Sequence, residues 1–278
     1  MRILALSDIH LEHSKFDPDS GVVAAADVIV LAGDIHPGVD GIQWARYAFA
    51  DKPIIYVAGN HEFYGSEWER ALDDMRRAGN ANDVYFLENG SVEILGIKFL
   101  GCTLWSDFNY FGSPHQERLR ELAEKEFADY GSIHADAHEV CGQLTTALSI
   151  ARHETSLAWL RAELANQDRS ATVVVTHHFP NKKSCSPKYS NDAMTAAFGT
   201  HIDTELMRQA GLWVHGHTHS STNYRIGDSK RYVRVVCNPR GYPLGWSSTY
   251  WENEAFDPNF LIERLPDGNW GVCAGVRA

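Results

Sequence analysis

The apolar run ILAL at residues 3–6 breaks off into Ser7-Asp8-Ile9-His10, and the same construction recurs four times along the chain. Residues 28–31 (VIVL) lead into Gly33-Asp34, and 54–57 (IIYV) lead into Gly59-Asn60-His61-Glu62. Residues 172–175 (TVVV) lead into Thr176-His177-His178, and 212–214 (LWV) into His215-Gly216-His217-Thr218-His219. Uninterrupted apolar runs of this length, rich in β-branched residues, predict strands buried on both faces in a sheet covered by helices. Between them, 66–78 opens on a Ser cap and a Glu, and 155–166 has helical spacing. Strand–helix alternation predicts a layered α/β architecture.

Two stretches depart from that plan. Residues 106–152 become polar and helix-prone from about 113 onward, with Glu117, Arg118, Arg120, Glu121 and Glu124 in close succession. They predict an inserted helical cap or a contact between copies in a homo-oligomer. After His219, the runs 221–226, 232–237 and 260–263 alternate more and predict the closing antiparallel strands of the sheet. No repeat or Pro/Gly-rich linker divides the chain, so residues 1–278 read as a single domain with that insertion.

Composition narrows the function classes. Of 278 residues, 44% are hydrophobic and 11% aromatic, which excludes a disordered chain. Thirty-six acidic against 25 basic residues give −11, which argues against gripping long nucleic acid by charge. A small phosphorylated substrate is compatible with that charge. No run approaches the roughly 20 apolar residues of a membrane span, and Asp8 and His10 interrupt the first one. The five cysteines (Cys102, Cys141, Cys185, Cys237, Cys273) are odd in number and never spaced CxxC, so they read as reduced thiols of a cytoplasmic protein. Fourteen histidines invite a search for a metal site.

That search leads back to the strand ends, where α/β sheets bind ligands. They present Asp8, His10, Asp34, Asn60, His61, His177, His178, His217 and His219. Carboxylate, amide and imidazole donors without thiolate suit Mn²⁺, Fe or Zn²⁺, and they are too many for one ion and a fitting number for two. His217 and His219 are alternate residues, whose side chains diverge and can address different ions. His178 either faces substrate or packs beside Phe179. His13 reads as a turn residue; His134, His138 and His153 fall on solvated faces of the helical span. Trp105, Asp107, Phe108 and Tyr110 either line a substrate pocket or anchor the insertion. Gly216 reads as close backbone packing between ligands. Lys182 and Lys183 either touch a phosphate or are solvated, and Arg240, in a strand-ending turn, is a candidate substrate contact.

Together, Asp8-Ile9-His10, Gly33-Asp34, Gly59-Asn60-His61-Glu62, His177 and Gly216-His217-Thr218-His219 resemble, in order, the motifs of the calcineurin-like metallophosphoesterases. The resemblance runs from Met1 to about Tyr242. It implies a four-layer αββα fold of mixed sheets in a β-sandwich flanked by helices. It also implies two divalent ions, with Mn²⁺ favoured over Fe or Zn²⁺. Asp8, His10 and His219 would hold the first, Asn60, His177 and His217 the second, and Asp34 would bridge them. A metal-bridging hydroxide would attack phosphorus, and His61 would protonate the leaving group. With no arginine adjoining a ligand to neutralise a dianionic monoester, the substrate reads as a small phosphodiester. Phosphomonoesterase and nucleotide pyrophosphatase are the alternatives. A non-catalytic scaffold of the same fold is remote, because the ligand set is complete.

Overall fold

The computed structural model describes residues 1–135, 142–229, 231–245 and 250–273. His138 and Cys141 lie outside them. Twelve strands among the described residues are β1 (Arg2–Leu6), β2 (Val28–Ala32), β3 (Ile54–Val57), β4 (Tyr85–Phe86), β5 (Gly90–Ile94), β6 (Ile97–Cys102), β7 (Thr172–Thr176), β8 (Leu212–His215), β9 (Thr222–Gly227), β10 (Tyr232–Cys237), β11 (Leu261–Arg264) and β12 (Trp270–Val272). They form two six-stranded sheets, ordered β12-β11-β1-β2-β3-β4 and β5-β6-β7-β8-β10-β9. β1 to β4 are parallel, as are β6, β7, β8 and β10; β11, β12, β5 and β9 join antiparallel at the edges.

Alternation along each strand explains the continuous apolar runs. Ile3, Ala5, Val28, Val30, Ile55 and Val57 meet Phe99, Val173, Val175, Leu212 and Val214 in the core between the sheets. Leu4, Leu6, Ile29, Leu31, Ile54 and Tyr56 face the opposite way, toward helices α1 (Ser20–Ala25), α2 (Asp40–Phe49) and α3 (Trp68–Ala81). Helices α4 (Ser113–Glu126) and α5 (Asp129–Ser132) lie in the charged span, and α6 (Thr146–Leu164) and α7 (Thr204–Met207) pack Leu160, Leu164, Leu206 and Met207 on the outer face of the second sheet. Helix, sheet, sheet and helix make the four layers that the resemblance implies.

Several local expectations are corrected. β10 pairs parallel with β8, and β11 pairs antiparallel with β1 in the other sheet, so the late strands close two sheets and not one. Ser66 does not cap α3: the N-cap is Glu67 without a side-chain bond. The chain at Ser66 and Trp68 is instead tied to the backbone of His134 (3.0 and 2.8 Å). Helix α6 begins at Thr146, capped by Thr145, and so runs through the boundary expected near 152. The β5–β6 hairpin turns on Leu95-Gly96, both at positive φ, a pair without the Asn-Gly or Asp-Gly signal that would have revealed it. No helix among the described residues is long and apolar enough to cross a membrane.

Candidate metal centre

The chain reverses sharply as it leaves β1, β2 and β8. Asp8, His10, Asp34, His217 and His219 all have left-handed backbone, with φ of 51°, 49°, 55°, 70° and 45°. Asp and His tolerate this region better than most residues, and such strain persists where the surroundings over-determine it. Here the loops are tied to one another. The Asp8 N–H donates to the Gly33 carbonyl (2.9 Å), His10 N–H to Asp34 O (3.1 Å), and His217 N–H to Asp8 Oδ1 (2.9 Å).

The side chains form two donor groups that share Asp34 (Asp8–His10–Asp34–His219 and Asp34–His177–His217), while a third cluster, His10–Glu12–His61, shares His10 with the first. In the first, His10 Nε2 is 3.2 Å from His219 Nε2 and 3.9 Å from Asp34 Oδ2, and His219 Nε2 is 3.4 Å from Asp8 Oδ1. In the second, His177 Nε2 is 3.4 Å from Asp34 Oδ2 and 3.1 Å from Asn60 Oδ1. Ligands about 2.1 Å from a tetrahedral ion lie roughly 3.4 Å apart, so these spacings fit donors around a cation. The His217 Nε2, buried without a hydrogen-bond partner, is a donor that a bound ion would satisfy. Asp34 reaches both groups through Oδ2 alone; its Oδ1 accepts the His61 N–H at 2.9 Å.

An outer ring orients these donors. His177 Nδ1 donates to the Ala32 carbonyl (2.9 Å), leaving Nε2 for the centre. His219 Nδ1 meets Glu252 Oε2 at 2.6 Å. Asn60 donates through Nδ2 to Asp129 Oδ1 (2.8 Å), which turns its Oδ1 inward, and the Tyr64 hydroxyl donates to the same Asp129 oxygen (2.6 Å). Glu62 accepts from the N–H groups of Asp34, Ile35 and Gly59 and from the Tyr56 hydroxyl (2.7–3.0 Å), joining the β2 and β3 ends. Glu12 Oε1 lies 2.9 Å from His10 Nδ1 and 3.4 Å from His61 Nδ1. His61 stacks on Tyr64 at 4.3 Å, and its Nε2 lies 3.0 Å from the Tyr242 hydroxyl. Sequence reasoning missed Glu12, Asp129 and Glu252 as partners; Glu12 had a signal in its two-residue spacing from His10, whereas Asp129 had none.

Electrostatically, the centre calls for positive charge. Burial works to raise Asp34, but the His177 and His61 imidazoles outweigh it and hold Asp34 well below the carboxylate range. Asp8 is likewise lowered, with its His219 contact overcoming burial. The reciprocal effect appears on the imidazoles. Against burial, Asp34 lifts His177 to about 9, and Asp34 with Glu12 lifts His61 to about 9. Protons thus gather where cations would neutralise the two buried carboxylates.

Other candidates fall elsewhere. His178 is buried behind His217, ring to ring at 4.4 Å, and donates from Nδ1 to the Thr103 carbonyl (3.2 Å); it is not among the residues lining the cavity that opens from the centre. Burial first, and cationic His177 second, push it well below the usual imidazole range. Arg240 is 4% exposed, bonds the carbonyls of Ile9, Ser14 and Lys15, and stacks on Trp251, so it braces the loop carrying His10 rather than reaching substrate. Lys182 and Lys183 are exposed, Lys182 lying over the Tyr110 ring. Trp105, Phe108 and Tyr110 are buried in the core with α4 and α5, which resolves them as anchors of the helical span. His134 is exposed as expected, but His153 is 2% exposed and bonds the Leu104 carbonyl. His13 is exposed beside the centre, its N–H bonding His10 O in a turn. A Cβ at Gly216 would stand 2.7 Å from Asp8 Oδ2 and from the Ala32 carbonyl, so this position excludes any larger residue.

A cavity of about 450 Å³ opens from the centre, lined by Asp34, Asn60, His61, His217 and His219 at its inner end. Three comparisons with known proteins bear on this geometry. A protein of Acanthamoeba polyphaga mimivirus, itself uncharacterized, is 25% identical over 269 residues, 87% of this chain and 92% of its own. The crystal structure of a phosphopantetheinyl hydrolase from Mycobacterium tuberculosis superposes with a TM-score of 0.64 at 19% identity, covering 87% of this chain and 89% of that one. Residues 1–221, which include every donor of both groups, match the model of the calcineurin-like phosphoesterases, and the chain belongs to that family of metal-dependent phosphoesterases.

Proposed function

We propose that this chain is a dinuclear-metal phosphodiesterase acting on a small substrate. Asp8, His10 and His219 would hold one divalent ion, Asn60, His177 and His217 the other, and Asp34 both. The observation that carries the reading is the single Asp34 Oδ2, 3.9 Å from His10 Nε2 and 3.4 Å from His177 Nε2. A donor set of carboxylate, amide and imidazole supports Mn²⁺ as the resident metal. When bound, two divalent ions supply Lewis acidity toward phosphoryl oxygens and a hydroxide nucleophile near neutral pH.

The protein's own groups do the rest. Glu12 behind His61 favours the protonated imidazole, whose Nε2 lies beside the Tyr242 hydroxyl, where a leaving oxygen takes up a proton. The His61 N–H fixes Asp34, so one residue both orients the shared carboxylate and carries the acid. Among the described residues lining the cavity none is Lys or Arg, which favours a diester over a dianionic monoester. The free thiols of Cys102 and Cys237 support a cytoplasmic location, and the helices between 106 and 152 serve as a cap over the cavity.

Metal analysis and paired assays test the reading. Purified protein is expected to hold close to two equivalents of metal and to cleave bis-p-nitrophenyl phosphate faster than p-nitrophenyl phosphate. Faster monoester turnover would overturn the diester assignment, and a folded protein with no metal and no turnover would overturn the enzyme itself. Sedimentation of the same sample shows whether two copies associate through the helical span.

A further inference from the structure

The cavity that begins at the metal donors continues into a surface of a different character. Beyond His217 its wall is Phe127, Phe179, Phe198, Tyr189 and Met194. Phe198 lies 4.6 Å from the His217 ring and Phe127 6.4 Å, and these two aromatics meet edge to face at 5.4 Å. The apolar wall therefore begins one ring away from a metal donor. Its halves come from distant parts of the chain, since Phe127 follows α4 and the others lie between 179 and 198, after β7.

The charged side chains lining the space, apart from metal donors and His61, are Glu126, Asp192 and Glu252. Each has a local contact: Glu126 with Lys125 Nζ (3.4 Å), Asp192 with the Met194 N–H (2.9 Å), Glu252 with His219 (2.6 Å). Lys188 lies over the Tyr189 ring (4.8 Å) but is not among the lining residues. A second phosphate or a carboxylate placed here would meet three carboxylates and lose its hydration to aromatic rings. An uncharged apolar group would instead exchange water for those rings.

We infer that this cavity selects the organic group esterified to the phosphate, and that it takes a bulky apolar group with no negative charge of its own. The inference rests on the phosphodiesterase reading and adds the chemical class of the ester. It separates the chain from enzymes that cleave nucleoside polyphosphates, whose esterified groups carry further anions next to the reacting phosphorus.

Symmetric inhibitors test it whichever ester arm enters the cavity. Diphenyl phosphate and bis(4-carboxyphenyl) phosphate differ only in two carboxylates, and each is titrated against bis-p-nitrophenyl phosphate turnover by the metal-loaded protein. Diphenyl phosphate is expected to bind at least about tenfold tighter. Asp192→Lys should narrow that ratio by strengthening the carboxylated inhibitor. Phe198→Ala should weaken diphenyl phosphate severalfold, and Tyr189→Ala, at a more exposed part of the wall, serves if Phe198→Ala fails to fold or to hold metal. Equal binding of the two inhibitors to active protein, or Asp192→Lys leaving the ratio unchanged, overturns the inference while the phosphodiesterase stands. Absence of both metal and turnover in folded protein overturns the phosphodiesterase and takes the inference with it.

Discussion

At the scale of single residues, side-chain chemistry and side-chain aim are separate contributions. Asn60 offers an oxygen donor by its type, but an amide can present nitrogen as readily as oxygen. The carboxylate of Asp129 settles the choice by accepting from Nδ2, so the oxygen faces His177. His61 is similarly divided, its backbone N–H serving Asp34 and its imidazole lying between Glu12 and Tyr242. His61→Gln keeps the N–H and removes the imidazole proposed as the acid. Turnover is expected to fall roughly 10²–10⁴-fold with metal content retained, read by steady-state kinetics beside metal analysis. Loss of metal together with activity would show that the imidazole, too, belongs to the metal-holding framework.

At the scale of elements, the loops after β1, β2 and β8 carry strained backbone, and the donor loops are held by residues outside the two donor groups. Glu62 joins the ends of β2 and β3. Arg240, after β10, holds residues 9–15 through bonds to three carbonyls and the Ser14 hydroxyl, with Trp251 3.5 Å across its guanidinium face. Arg240→Met preserves the stem but leaves buried oxygens unpaired, and is expected to cost about 2–4 kcal/mol in denaturant unfolding. Because that loop bears His10 and Glu12, metal affinity should fall in parallel. The strand runs behind these loops were readable from sequence, since a strand buried on both faces advertises itself by uninterrupted β-branched residues. The start of α3 was not, because its backbone is satisfied by residue 134 in place of Ser66.

At the scale of the whole molecule, α6 anchors the helical span to the second sheet, and His153 on α6 is buried against the chain leaving β6. Burial is the main cause that lowers its pKa, with Asp107 opposing it. An unfolded imidazole titrates near 6.5, above the folded value, so the unfolded chain binds more protons as the pH falls. His153 thus contributes stability fully above about pH 6.5, and that contribution is lost on acidification toward the folded value. His153→Gln should flatten the acid side of a stability–pH curve measured by thermal unfolding; an unchanged slope would assign the acid sensitivity to other buried histidines. By itself the sequence determined the five strands that lead into the donor motifs, the donor types and their order, because each is a property of a short run of residues and its chemistry. Only the tertiary structure decided that Asp34 serves both groups through one oxygen, that Asp129 stands behind Asn60 from 69 residues away, and that Phe127 and Phe198 wall one cavity. Such adjacencies arise when separate elements bury their apolar faces together, and no local period in the chain encodes which distant side chains that burial will bring into contact.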